Sequence, residues 1–415
     1  MARDVWLVTS LRSSDHVLVV GAGLAGWRLV ESLRNEGFDG AITLIGDEVH
    51  LPYDRPPLSK QVLSGKWDVA KASLATHDHI ESLVATLRLG ARVTHLDVES
   101  TSVTLADSSV VRGSRIALAI GCRARELRVP SSGALPTLRN RDDLARFNET
   151  LAPLSARSVV AIVGGGFVGA EVATSLSARD FIPVVVEAAD RPLMNVLGDE
   201  VSTWLLRLAS DFGVELRTNH QLEDVTSDKT GYHLSFSDGT SLDAGSVLAA
   251  IGSSLDLEWL NDSSLHLDNG VVVDNDLQAA PGVAAIGDVA RFPWSNAAGE
   301  ELVRIEHWQV ATDHAAQLAD FWMGGGSEMT SMVPYFWSDQ YGKKLQLLGH
   351  PHPSDDVVRV SGSPEEGKWL ALYSRNSFVT GVVTLSQPRG LALSRGLLES
   401  PTTLDEALTA APWST

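Results

Sequence analysis

A single cysteine, Cys122, stands among the 415 residues. The chain therefore holds no internal disulfide, no dithiol pair for redox chemistry and no cysteine cluster with zinc or iron–sulfur spacing. That usage fits a reducing, cytoplasmic compartment. Long apolar runs are missing as well: none approaches the ~20 residues that a membrane-spanning helix needs. The opening MARDVWLVTSLRSSD has an apolar patch too short for a signal-peptide core, and residues 1–13 read as a loose extension. Basic residues are scarce, 33 Lys and Arg against 52 Asp and Glu, and the net charge of −19 argues against nucleic acid as a partner. With 44% hydrophobic and 20% charged residues the composition is that of an ordinary globular chain of two or three domains.

What the chain does have is glycine in two special places. Residues 16–20 form an apolar run that leads into Gly21-Ala22-Gly23-Leu24-Ala25-Gly26; a helical pattern and a second apolar strand at 41–45 follow. In such a unit the first glycine makes a tight turn and the second lets backbone N–H groups approach a pyrophosphate. The third lets helix and strand pack closely, with the phosphates at the helix N-terminus. One such turn is weak evidence. Residues 158–187 repeat it, with Gly164, Gly166 and Gly169 between a strand and a helix, and a second strand that closes on Glu187. The offset from Gly21 to Gly164 is 143 residues, and the same offset sets Ser32-Leu33 on Ser175-Leu176. The pattern is an internal duplication, and two units imply two dinucleotides.

Between and after these units the chain reads as follows. Pro52, Pro56 and Pro57 stiffen the segment 50–60, and a helix is expected to start near Ser59, placing Lys60 either toward a cofactor or as an exposed helical lysine. Short strands are expected at 91–96, 102–105 and 114–120, and a helix at 142–151. Residues 112–146 carry eight arginines against three acids, which suits either a solvated surface or anion handling. After the second unit come a helix over 201–212 and strands near 214–218, 232–237 and 246–251, with a hairpin at Asp238-Gly239. Ile120-Gly121 and Ile251-Gly252 end strands alike, so that the second nucleotide unit is inserted in the first through two paired crossings. An apolar strand then ends in Gly287-Asp288, which puts a carboxylate at the C-terminal edge of a sheet, where open α/β sheets bind ligands. A helix opens near Trp308 and runs to about Met323, stopped by Gly324, Gly325 and Gly326. From Pro334 an aromatic block, Tyr335-Phe336-Trp337, reads most simply as core and introduces alternating strands and a helix near 390–398. The fold class is α/β: two Rossmann-like domains, one inserted in the other, with an α+β C-terminal domain. Expected boundaries are 14–118 with 253–325, 119–252, and 326–415.

With these pieces in order, the chain resembles the FAD-dependent ferredoxin reductases of bacterial oxygenase systems, the reductase components of aromatic-ring dioxygenases and of cytochromes P450. The resemblance rests on LPYDRPPLSK (51–60), GGGFVGAEVA (164–173), AAIGDVARFP (284–293), RIEHW (304–308) and PYFWSDQYG (334–342). It implies a glutathione-reductase-like architecture: a discontinuous FAD domain, an inserted NAD domain and a C-terminal interface domain. Carried over by motif, FAD contacts fall on Gly21, Gly23, Ala25 and Gly26, and on Asp47 or Glu48, with Asp47 preferred. Further contacts fall on Arg55, Lys60, Val93 and Arg139, with Asp288 on the ribityl chain and Trp308 against the isoalloxazine. NADH falls on Gly164, Gly166, Phe167, Val168 and Gly169, with Glu187 on the adenosine ribose and Gly252 near the nicotinamide. A carboxylate at Glu187 suits a 2′-hydroxyl and repels a 2′-phosphate, which favours NADH over NADPH.

The activity so implied is hydride transfer from NADH to FAD, then single electrons to a [2Fe–2S] ferredoxin or a rubredoxin-like iron protein, and indirectly to a terminal oxygenase that degrades an aromatic compound. The catalytic residues would be Lys60 paired with Glu171, and Trp308, which shields the flavin or carries electrons. A monomer or homodimer without membrane or nucleic-acid partners is expected. Within the same fold, a cysteine-based disulfide reductase or NADH oxidase needs a thiol against the flavin, and residues 21–60 contain none. A direct reductase of a quinone or monodehydroascorbate-like acceptor needs no extra residue. A binding protein like the apoptosis-inducing factors would be expected to have a basic surface and a targeting segment. Docking an acidic ferredoxin on this acidic chain would need local cations, and residues 309–323 hold no Lys or Arg.

Overall fold

The computed structural model describes residues 9–296, 299–325 and 332–414. Three sheets organise these residues. The first has the order Gln278–Ala280, Val283–Ala285, Arg115–Leu118, His16–Val20, Ala41–Ile45, Ala85–Arg88; all neighbours are parallel except the first pair. Its central strands are buried on both faces, as their unbroken apolar runs require. The second sheet, Glu215–Arg217, Ile182–Val186, Val159–Val163, Ser246–Ala249, is wholly parallel. The chain therefore leaves the first sheet after Leu118 and rejoins it at Gln278. The crossings lie side by side, with Arg123–Ala124 pairing antiparallel to Ser253–Ser254. Tyr335–Gln340 is the edge strand of a third, five-stranded antiparallel sheet, ahead of Lys343–Gly349, Phe378–Leu385, Lys368–Arg375 and Asp356–Ser363.

Several expectations need correction. No α-helix starts near Ser59: Pro56–Ser59 is a single 3-10 turn, and turns continue beyond it. Pro56 and Pro57 preset φ for that turn but bring no N–H to a longer ladder. The helix expected over 201–212 runs Met194–Phe212, broken at Gly198. Gly198 has φ +76°, and a Cβ there would lie 2.5 Å from the Pro353 carbonyl oxygen, so only glycine lets this bend pass Pro353. Residues 9–13 are not loose. Leu11 is buried, its N–H bonds the Trp322 carbonyl at 2.8 Å, and Arg115 bonds the Thr9 carbonyl at 3.0 Å; residues 1–8 lie outside the described residues. Tyr335, Phe336 and Trp337 are half-buried on an edge strand: Phe336 and Trp337 line the large cavity described next, while Tyr335 packs against the core of the third sheet. Gly324 ends the helix Trp308–Trp322 at φ +94°, as expected, while Gly326 lies outside the described residues.

Candidate active site

Both glycine turns open into one cavity of about 930 Å³. Gly21 takes φ +116°, and a Cβ there would meet the Ala119 carbonyl oxygen at 2.2 Å; at Gly26 it would meet the Gly21 carbonyl oxygen at 2.0 Å. Gly164 and Gly169 repeat this geometry, with 2.4 Å to the Ala250 oxygen and 2.0 Å to the Gly164 oxygen. Gly23 has nothing within 4 Å and Gly166 only the Ala250 oxygen at 3.9 Å, so the second glycine of each turn faces open space. The helices that follow, Leu24–Asn35 and Phe167–Ser177, carry no side-chain cap. Neither does Trp308–Trp322, which begins at the same cavity. Three helix N-termini thus bring free N–H groups and positive partial charge to one space. That is the electrostatics two dinucleotides require, and the cavity fits FAD and NAD(H) on this ground.

Of the residues expected at the site, Gly21, Gly23, Ala25, Asp47, Arg55, Lys60, Arg139, Gly164, Gly166, Phe167, Val168, Glu171, Glu187, Gly252, Asp288 and Trp308 line this cavity. Gly26, Gly169 and Val93 do not. The two glycines are spent on helix–strand packing, and the Val93 side chain belongs to the core under the first sheet. Both oxygens of Glu48 are taken, by the Tyr53 hydroxyl and by Arg55, each at 2.6 Å. Asp47 is mostly exposed, with Arg123 at 3.6 Å. Glu187 accepts from the backbone N–H of Gly165 at 2.8 Å and of Ala189 at 2.9 Å, which fixes its carboxylate at the end of the second Rossmann strand.

At the middle of the cavity Lys60 Nζ lies 2.8 Å from Glu171 Oε2, both side chains nearly buried. Trp308 donates from Nε1 to Asp54 Oδ1 at 2.7 Å. Burial pushes the Asp54 carboxyl upward, against the pull of that bond and of Arg28 and Lys60. Asp288 pairs with Arg139 at 3.0 Å and accepts from the Cys122 thiol at 3.3 Å. Burial holds that thiol far above the ordinary range, with the nearby Asp288 and Glu306 carboxylates adding to it. Cys122 is therefore a protonated donor, not a thiolate. Burial alone would raise Glu306, but bonds from Ser253 at 2.6 Å and Arg304 at 2.5 Å hold it low.

Sequence reasoning gave no role to Tyr53, Asp54, Ser59, Cys122, Ser253, Glu306, His307, Phe336, Trp337 or Ser338. Most of them lie inside the five quoted motifs, so their positions were marked although their partners were not. The aromatic block is the clearest case. Phe336 sits between Phe167 and His307, with ring centroids at 4.4 and 4.9 Å, and Trp337 meets Trp308 edge-on at 6.3 Å. His314, which read as part of an apolar helix face, is fully buried and accepts the Gly287 N–H on Nδ1 at 3.2 Å, steadying the turn that carries Asp288.

The family model described as pyridine nucleotide-disulphide oxidoreductase matches residues 15–315. The chain belongs to that family. A second model, described as reductase C-terminal, matches residues 335–414 of this pyridine nucleotide-disulphide oxidoreductase. Rhodocoxin reductase from Rhodococcus erythropolis is 32% identical over 395 residues, 94% of this chain and 91% of the relative. The ferredoxin reductase component of chlorobenzene dioxygenase from Cupriavidus sp. (strain PS12) is 33% identical over 398 residues, 95% of each. Among solved structures, putidaredoxin reductase in its covalent complex with putidaredoxin superposes with a TM-score of 0.88 at 29% identity, covering 97% of this chain and 100% of that one. The chain is an FAD-containing, NAD(H)-dependent oxidoreductase of this family. Among the described residues no helix is long and apolar enough to cross a membrane.

Proposed function

We propose that the chain is an NADH:ferredoxin reductase that serves an oxygenase of aromatic-compound breakdown or a cytochrome P450. The observation that carries the reading is the convergence of three uncapped helix N-termini on one cavity, two at glycine turns and one at Trp308. FAD, when bound, would supply the coupling between a two-electron donor and a one-electron acceptor. Gly21, Gly23 and the first turn of Leu24–Asn35 hold its pyrophosphate, and Asp47, whose oxygens are less engaged than those of Glu48, takes the adenosine ribose. Arg139, Asp288 and Trp308 line the flavin end. Gly164, Gly166, Phe167 and Val168 receive NADH, with Glu187 on its 2′-hydroxyl and Gly252 beside the nicotinamide. Lys60, neutralised by Glu171, orients the nicotinamide and balances charge. The domains are 14–118 with 253–325 for FAD, 119–252 for NAD and 326–415 for the partner interface, and the compartment is the cytoplasm. A protonated, buried Cys122 is unsuited to disulfide chemistry.

The test is direct. The purified protein should be yellow and should reduce cytochrome c with NADH only when a small [2Fe–2S] ferredoxin is added. Equal rates without ferredoxin would replace this reading with that of a direct small-acceptor reductase.

A further inference from the structure

The edge strand Tyr335–Gln340 lies along the helix Phe167–Ser177. Two strand residues advance ~6.6 Å and four helix residues ~6.0 Å, so alternate strand positions meet every fourth helix position in step. Phe336 accordingly packs on Phe167 at 4.4 Å, and the Ser338 hydroxyl donates to Glu171 Oε1 at 2.7 Å. Beyond the strand's end the Tyr341 N–H donates to Thr174 Oγ1, also at 2.7 Å. The other oxygen, Oε2, accepts from the Ser59 hydroxyl at 2.6 Å and lies 2.8 Å from Lys60 Nζ. From the next turn, Ser175 donates to the Ser59 carbonyl at 2.7 Å. Ser338 is fully buried and Glu171 almost so.

We infer that Ser338, in the C-terminal domain, is a positioning residue for the Lys60–Glu171 pair. The inference rests on the role proposed for that pair above. A glutamate carboxylate can rotate, and with Oε1 unpaired it could turn either oxygen to the lysine. Ser338 holds Oε1 while Ser59 holds Oε2, so the carboxylate keeps one orientation and the ammonium on Oε2 stays fixed at the cavity wall. Lys60, Glu171 and Ser338 come from the three expected domains, so the arrangement forms only when all three are docked.

Ser338→Ala removes the donor and leaves the residues of the cavity wall unchanged, since Ser338 is fully buried behind it. Loss of one bond to a charged acceptor predicts reduction of bound FAD by NADH about tenfold slower than in the parent. In the apoprotein, acetylation of Lys60 by acetic anhydride, read by mass spectrometry against exposed Lys66, becomes faster. Ser338→Thr, which keeps the hydroxyl, restores both. Unchanged Lys60 labelling and an unchanged rate of FAD reduction in Ser338→Ala would overturn the inference and leave the proposed function standing. A parent holoenzyme that NADH does not reduce would overturn the function reading, while the labelling result would still report on the triad. If the extra methyl of Ser338→Thr lowers the melting temperature, Ser338→Ala in a Glu171→Gln background decides instead. There Ser338 can still donate to the amide oxygen but Lys60 has lost its carboxylate, so Lys60 labelling should no longer respond to the serine, and a response equal to that in the parent background would sink the idea.

Discussion

Lys60 carries the most at the scale of single residues. Its side chain is 11% exposed, and its ammonium contacts Glu171 at 2.8 Å and the Pro56 carbonyl at 3.1 Å. Lys60→Ala leaves Glu171 with two hydroxyl donors, so the fold persists while the nicotinamide loses its fixed cation. The bleaching of flavin absorbance by NADH, followed by stopped flow, should slow on the order of a hundredfold, as when a preorganised donor is removed. A normal rate would take Lys60 out of the mechanism. His314 supports a second prediction. Burial pushes its pKa down from 6.5 to about 3, and its Nδ1 must stay unprotonated to accept the Gly287 N–H. Because the folded value lies below the unfolded one, the unfolded chain binds the extra proton. The neutral ring's contribution is complete above pH 6.5 and is lost as pH falls from there toward 3, by about 1.4 kcal/mol per pH unit. The apoprotein's melting temperature should therefore drop on acidification from pH 7 to 5. Gln at 314 can accept the same bond without titrating, so His314→Gln should flatten the slope; an equal slope would reject the assignment. Lys60 stood out in the sequence through its proline-rich frame. His314 did not, because a histidine on an apolar helix stripe has no local mark of what lies opposite.

The two glycine turns make the sharpest prediction at the scale of elements, because each glycine meets a different constraint. Gly23 has φ −83°, which alanine adopts freely, and nothing lies within 4 Å of its missing Cβ. Gly23→Ala should keep the apoprotein's melting temperature and lose FAD affinity at least about tenfold, since the methyl occupies the space of the pyrophosphate. Gly26→Ala drives a Cβ to 2.0 Å from the Gly21 carbonyl oxygen and should fail to fold stably. Titration of FAD by fluorescence and thermal melting of both variants separates the two roles; equal behaviour would refute the division. These turns were legible because steric need fixes residue type. Phe378–Leu385 was legible to the residue, from β-branched and aromatic content bounded by turns. The region around Ser59 was not, because proline permits a 3-10 turn and an α-helix start alike. Nor was the role of Tyr335-Phe336-Trp337, since an aromatic strand reads the same whether a core or a cavity lies beside it.

For the whole molecule, charge and topology together determine how a partner can approach. The duplicated units and their interleaving could be read from the paired Ile-Gly strand ends, and the crossings do run antiparallel at Arg123–Ala124 and Ser253–Ser254. The fate of the arginines in 112–146 could not be read, because it depends on partners distant in sequence. Arg139 turns inward to Asp288, Arg123 bridges to Asp256 at 2.8 Å, and Arg125 bonds the Ser253 carbonyl at 3.1 Å. These three hold the crossings together and are not part of a free basic face. Near Trp337, Lys344 is paired with Asp339 at 2.9 Å, and Arg395 faces Glu399 at 3.5 Å. A chain of net charge −19 that keeps these cations paired repels an acidic ferredoxin at long range. Salt screens that repulsion, with a Debye length falling from about 30 Å at 0.01 M to about 8 Å at 0.15 M. The second-order rate of ferredoxin-dependent cytochrome c reduction should then stay level or rise across that range, because screening weakens the repulsion between the two acidic proteins. A steep fall with added salt would mean that opposite charges steer the encounter, and that the paired lysines and arginines exchange partners when ferredoxin docks.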